Sequence, residues 1–175
     1  MYQELREEVE HMEWKKMFFS NYARPRAVFI LWLTARGRLQ TKDRLIRYGI
    51  NVDANCVFCS AEETMDHLLF ECSKTNEVWR NILTWVGYNR IPSTWTNEST
   101  WLITKTRKKG WRRDILKVAI AETVYAVWRM RNELIFNQHT MDDTITNTIK
   151  ENVVLRCIGY KKIANHINRE NLCIE

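Results

Sequence analysis

Residues 56–72 read CVFCSAEETMDHLLFEC, and everything around them is organised by that stretch. It holds the pattern C-x2-C-x7-H-x4-C, with Cys56, Cys59, His67 and Cys72 as its polar nodes. Two cysteines separated by two residues can turn both sulfurs toward one point about 2.3 Å away, and a His and a Cys on the next element complete a tetrahedron. Three thiolates and one imidazole suit Zn²⁺, which is soft enough for sulfur and redox-silent. Four protein ligands close the coordination sphere, so one zinc ion here is structural rather than catalytic. The competing reading is a redox C-x-x-C pair. Such pairs begin a helix after a strand, whereas a polar turn follows Cys59.

Outward from this stretch the punctuation predicts helices. Pro25 suits a first helical position ahead of Ala27, Val28, Ile30, Leu31 and Leu33, and the segment ends near Gly37. Thr41 can cap a short helix through Leu45 and Ile46 that stops at Gly49, while residues 50–63 read as turn or a short β-hairpin. Ser73 can cap a helix whose Val78, Trp79, Ile82, Leu83 and Val86 recur at helical spacing before Gly87. Residues 88–100 are polar, contain Pro92 and read as loop. A long helix is predicted from about Trp111 to Phe136, nearly all apolar between Ile115 and Trp128 and so deeply packed. Thr140 and Asp143 then resemble a capping box, and Ile145, Ile149, Val153, Cys157, Tyr160, Ala164 and Ile167 form one stripe.

The fold expected is therefore mainly α, a helical domain built around a small CCHC zinc-knuckle-like insertion. Its organisation reads as an acidic segment 1–13, helices plus the zinc-binding part over 14–87, a polar and basic linker over 88–110, and a C-terminal helical region over 111–175 that packs on the zinc part. Composition agrees. Hydrophobic content of 45% and charged content of 27% exclude general disorder, and five Gly with two Pro argue against a turn-rich β-sandwich. Ile115–Trp128 is too short and carries Lys117 and Glu122, against a need for about 20 apolar residues to span a bilayer. The Glu-rich opening lacks the basic and apolar regions of a signal peptide, and five unevenly spaced cysteines point to a reducing, intracellular setting, nuclear or cytoplasmic. Of the remaining thiols, Cys157 falls on the helical stripe and reads as a core residue.

The net charge of +6 is unevenly spread. Arg24, Arg26, Arg36, Arg38, Lys42, Arg44 and Arg47 face Asp43 alone in one segment; Lys105, Arg107, Lys108, Lys109, Arg112, Arg113 and Lys117 face Asp114 in another. Such balances favour polyanionic partners.

Several motifs occur in order along RPRAVFILWLTARGRLQTKDRLIRYGINVDANCVFCSAEETMDHLLFECSKTNEVW, residues 24–79. An upstream Trp14 and Pro25 precede Arg38-Leu39-Gln40-Thr41-Lys42-Asp43-Arg44-Leu45. The cysteine pair follows, then Glu63, Thr64, His67, Leu68, Phe70 and Cys72, then Val78 and Trp79. Trp128, Arg131, Asn132 and Phe136 give a later W-x-x-R-N-x-x-x-F signature. Over roughly residues 14–137 the chain resembles the zinc-binding domain C-terminal to the polymerase in plant LINE-type (non-LTR) retrotransposon reverse transcriptases. It departs from that pattern in Ser60 after Cys59 and in Val57; neither change removes a ligand.

Polymerase chemistry is not carried over. Met141-Asp142-Asp143 echoes a reverse-transcriptase palm, but Thr140 replaces the aromatic residue and the pair sits at an expected helix start, where Asp is favoured electrostatically. No Walker loop or Ser-His-Asp set is present, and the chain reads as non-catalytic. What the resemblance and the charge imply is a zinc-stabilised nucleic-acid-binding module. RNA or a single strand is favoured over duplex DNA. Arg36, Arg38, Lys42, Arg44 and Arg47 are the expected phosphate contacts, with Lys108, Lys109, Arg112 and Arg113 as a second patch and Phe58, Trp101 and Trp111 as candidates for base stacking. The alternative is a retroelement-derived protein–protein interaction subunit of a larger assembly, partnered by a polymerase or another protein.

Overall fold

The computed structural model describes residues 15–137 and 144–169. Its elements are α1 (Lys15–Phe18), α2 (Pro25–Ala35), α3 (Lys42–Arg47), a π-helical turn (His67–Glu71), α4 (Ser73–Trp85), α5 (Trp95–Lys105), α6 (Trp111–Asn137), α7 (Ile145–Ile158) and α8 (Lys161–Arg169). The described residues hold no β-strand; the hairpin expected over 50–63 reduces to one antiparallel bridge, Asn55 to Glu62.

Helix α6 is the axis, because every residue from Ile115 to Val124 is buried. A helix apolar around its whole circumference must be covered on all sides. Here α2 and α7 cover it most extensively, with α4, α8 and the π turn filling the remainder. Three polar residues ride inside this run, and each is satisfied. Lys117 Nζ donates to the Phe19 carbonyl at 2.9 Å, and Thr123 Oγ1 donates to the Ala119 carbonyl at 2.7 Å. The Glu122 carboxylate receives the Arg24 backbone N–H at 3.0 Å and the Arg24 guanidinium. Glu122 thereby accepts the backbone N–H of Arg24, the N-cap residue of α2, which has no side-chain cap of its own, and ties the start of α2 to α6. Burial weakens the hold of Lys117 on its proton, pulling its pKa below the ordinary lysine value, with Arg113 adding to that effect.

Helix ends follow the glycines where a left-handed residue is required. Gly37 at φ 58° and Gly87 at φ 87° terminate α2 and α4. The next residues, Arg38 and Tyr88, donate back to the Leu33 and Leu83 carbonyls at 2.8 and 2.7 Å, the six-residue closure of a helix C-terminus.

Four expectations are corrected. Thr41 occupies the N-cap of α3, but its hydroxyl donates to Asp43 at 2.5 Å instead of capping. Ser73 is the first residue of α4, whose N-cap is Cys72. Residues 88–110 carry a helix where a linker was expected: α5 buries Glu98 and Leu102, and Thr94 Oγ1 caps it by accepting from Asn97 N at 3.4 Å. The single stripe over 145–167 breaks at Gly159. The Tyr160 carbonyl then accepts from Ile163 and Ala164 to start α8, shifting the register so that Ile163 and Ile167 enter the core while Tyr160 lies against Tyr22 at 3.8 Å. The Thr140–Asp143 capping box and the Met141-Asp142-Asp143 stretch lie outside the described residues, as does Trp14.

Candidate metal centre

The Cys56–Cys59 segment is folded by its own backbone. Cys56 N donates to the Ala61 carbonyl at 2.5 Å and Ser60 N returns a bond to the Cys56 carbonyl at 3.0 Å, closing a tight knuckle. Phe58 N points at Cys56 Sγ, 3.5 Å away, a donor placed to steady a thiolate. The turn demands a left-handed residue, and Ser60 takes it at φ 63°, a conformation that glycine would adopt without Cβ strain.

The other two ligands come from the π turn. In an α-helix residues five apart differ by about 140° around the axis and cannot share a target. Here Cys72 N donates to the His67 carbonyl at 2.8 Å, an i to i+5 bond that widens the turn. His67 and Cys72 therefore face the same side, and Cys72 simultaneously opens α4. The ligand atoms of Cys56, Cys59, His67 and Cys72 all lie within 4.8 Å of one another, and Cys59 Sγ is 3.1 Å from His67 Nε2. A tetrahedral ion with bonds of about 2.3 Å needs donor separations of about 3.8 Å, so the four donors fit one zinc ion. They are positioned to bind it with no coordination position left open. The side-chain hydrogen bond between Cys56 and Cys72 lowers the Cys72 pKa to about 5 and pushes that of Cys56 up.

Carboxylates of the zinc loop cap helices elsewhere in the chain. Glu63 Oε1 accepts from Lys42 N at 2.9 Å, supplying the cap that Thr41 does not give α3. Asp66 Oδ1 accepts from Trp95 N at 2.7 Å at the start of α5. Glu63 is fully buried and is also gripped by Arg131 of α6, through Nη2 at 2.7 Å and Nε at 3.3 Å. Arg131 lies over the Trp128 ring, 5.0 Å from its centroid, and donates to Asn132 Oδ1 at 2.9 Å. The W-x-x-R-N signature is thus a brace for the zinc loop. Trp128, at the end of the run read as deeply packed, is half-buried, packed against the core with the Arg131 guanidinium over its ring.

The remaining candidates separate by what they already hold. Arg36, Arg38, Arg47, Lys108, Lys109 and Arg112 are exposed, and Arg47 pairs with Asp43 at 2.8 Å. Lys42 Nζ donates to the Asn55 carbonyl at 2.6 Å and pairs with Asp53; Arg44 donates to the Gly37 carbonyl and covers the Tyr48 ring. Arg113 pairs with Asp114 at 2.6 Å. Phe58 packs on the core. Trp101 is covered by Arg90 at 4.3 Å and meets Tyr88 edge-on, while Trp111 stacks on His166 at 4.7 Å and 7° with Arg112 at its ring. Cys157 is a buried free thiol, as its place on the stripe implies. Phe29 and Trp32, exposed or half-exposed between Arg26 and Arg36, did not stand out in the sequence, although positions 26, 29, 32 and 36 fall on one helical face.

Residues 1–79 match the model of a family described as zinc-binding in reverse transcriptase. The match spans all four ligands and ends at Trp79, so over this part the chain is similar to a reverse-transcriptase zinc-binding domain, as the motif residues imply. No curated protein and no solved structure matches the chain. None of the described helices is long and apolar enough to cross a membrane.

Proposed function

We propose that the chain is a non-catalytic, zinc-stabilised nucleic-acid-binding module with RNA or another single strand as its ligand. The observation that carries this reading is the run of exposed arginines from the end of α2 through α3, Arg36, Arg38 and Arg47, with α3 capped by the zinc loop through Glu63. Lys42 and Arg44 fall in the same run but are engaged within the fold, so their removal acts on stability as well as on charge. Lys108 and Lys109, exposed between α5 and α6, form a second patch. Contacts from such side chains to phosphates give affinity that falls steeply with salt and carries little sequence information.

The test is fluorescence anisotropy of the zinc-loaded protein against a structured RNA, a single strand and a DNA duplex, titrated with salt. Binding with a steep log–log salt slope, reduced by Arg36→Gln, Arg38→Gln and Arg47→Gln together, is the expected outcome. No binding of any of the three at micromolar protein and about 0.1 M salt refutes the reading. A second reading, an interaction subunit of a larger assembly, draws on Leu155 and Ile158, which are 70% and 50% exposed on α7; a loss of binding to every nucleic acid would favour it.

A further inference from the structure

We propose that the outer face of α2 is the base-contacting surface of this module, with Phe29 and Trp32 stacking on unpaired bases while flanking arginines hold the phosphates. The inference rests on the nucleic-acid reading above. It assigns the aromatic role to residues other than Phe58, Trp101 and Trp111, whose rings are engaged within the fold.

Helix α2 has two faces. Ala27, Leu31 and Thr34 are buried against the core. On the opposite side, Arg26, Phe29, Trp32 and Arg36 follow one another at helical spacing. Phe29 is 55% exposed, although a phenylalanine on a solvent face gains nothing from burial there. Its ring and that of Trp32 are near-parallel, with centroids 6.0 Å apart and planes at 23°, so they form an offset two-ring shelf. Arg36 sits beside the Trp32 ring at 5.8 Å. Beyond the end of α2, Arg44 of α3 reaches back to the Gly37 carbonyl and lies 5.2 Å from the centroid of the Tyr48 ring, itself 56% exposed.

The occupant follows from this chemistry. Aromatic rings alone would suit an apolar partner, but these are flanked on their own helix face by Arg26 and Arg36, and exposed Arg38 and Arg47 follow in the chain, with Asp43 paired to Arg47 at 2.8 Å. A ligand that offers π-faces and a row of negative charges satisfies both. Single-stranded nucleic acid does so, and a duplex, whose bases are stacked inside, does not.

The experiment compares a single-stranded RNA oligomer with an abasic sugar–phosphate strand of equal length, using the zinc-loaded protein. Phe29→Leu and Trp32→Leu keep an apolar side chain while removing the π-face; circular dichroism and zinc content check that the variants fold. The expected result is a loss of about tenfold or more for the base-bearing strand. Affinity for the abasic strand and the salt slope stay unchanged. Unchanged binding of the base-bearing strand by both variants overturns the stacking assignment and leaves the phosphate-binding reading standing. Failure of the unaltered protein to bind either strand removes both. Self-association of the unaltered protein that is abolished by Phe29→Leu, seen by sedimentation, also overturns the assignment, since the face would then serve a second copy.

Discussion

The Glu63 carboxylate and the Arg131 guanidinium lie 2.7 Å apart, with side-chain exposures of 0% and 4%, although 68 residues separate them in the chain. One end of this pair belongs to the zinc loop and the other to the central helix. Removing one partner strands a buried charge, a loss of about 3–5 kcal/mol, whereas replacing both by apolar groups costs much less. Arg131→Met and Glu63→Met are each expected to destabilise the protein by that order, and the double variant to recover part of the loss. A double-mutant cycle in urea measures the coupling; strictly additive effects would refute it. Residues 1–79 alone lack Arg131, and their zinc affinity should fall below that of the whole chain in a competition titration.

Zinc removal should loosen more than its own loop. Glu63 and Asp66 cap α3 and α5, so chelation is expected to raise hydrogen exchange at the Lys42 and Trp95 amides as well as within 56–72. His67→Ala should produce the same pattern without chelator. Affinity should fall as pH drops, since thiolates and a neutral imidazole must be free of protons to bind the ion. Protection at Lys42 and Trp95 that is indifferent to chelation would contradict this coupling.

Ser60 holds a left-handed backbone at the knuckle, a conformation that costs a residue with a Cβ about 1–2 kcal/mol. Ser60→Gly is therefore expected to stabilise the zinc-loaded protein by about 1 kcal/mol, raising Tm by about 2–4 °C for a chain of this size. A lowered Tm would show that the Ser60 side chain contributes more than its strain costs.

Burial in the core pushes the Cys157 thiol up to about 12, with Asp114 and Glu122 adding to the effect. The unfolded thiol ionises near 9.0. Between those values the unfolded state sheds a proton that the native state keeps. The stability difference is present below pH 9 and is lost as pH rises toward 12. Cys157→Ala lacks this alkaline limb, so its deficit against the unaltered protein should shrink above pH 9 in urea unfolding series. A deficit constant with pH would refute the shift.

The four zinc donors and the long central helix were legible because their signals are local: ligand spacing within seventeen residues, and an unbroken apolar run. The α5 helix was not, since WTNESTWLITK buries only Glu98 and Leu102, and Glu98 earns its place through Arg90 at 2.5 Å, a contact that no periodicity announces. The cap of α3 was misassigned to Thr41 because a side chain twenty-one residues away, Glu63, does the work. The break at Gly159 was hidden by a stripe that reads continuously on either side of it.

The wide turn between His67 and Cys72 also fixes a phase. Cys72 is at once a ligand and the cap of α4, so the direction in which that helix presents Val78, Trp79 and Ile82 is set by the number of residues since His67. Deleting one residue from 68–71 would keep all four donors, and a regular turn could still aim two of them at one ion. The helix would then be rotated by about 100° relative to the metal, turning its apolar face from the core. Insertions and deletions in this stretch are thus barred by geometry even where they spare every ligand.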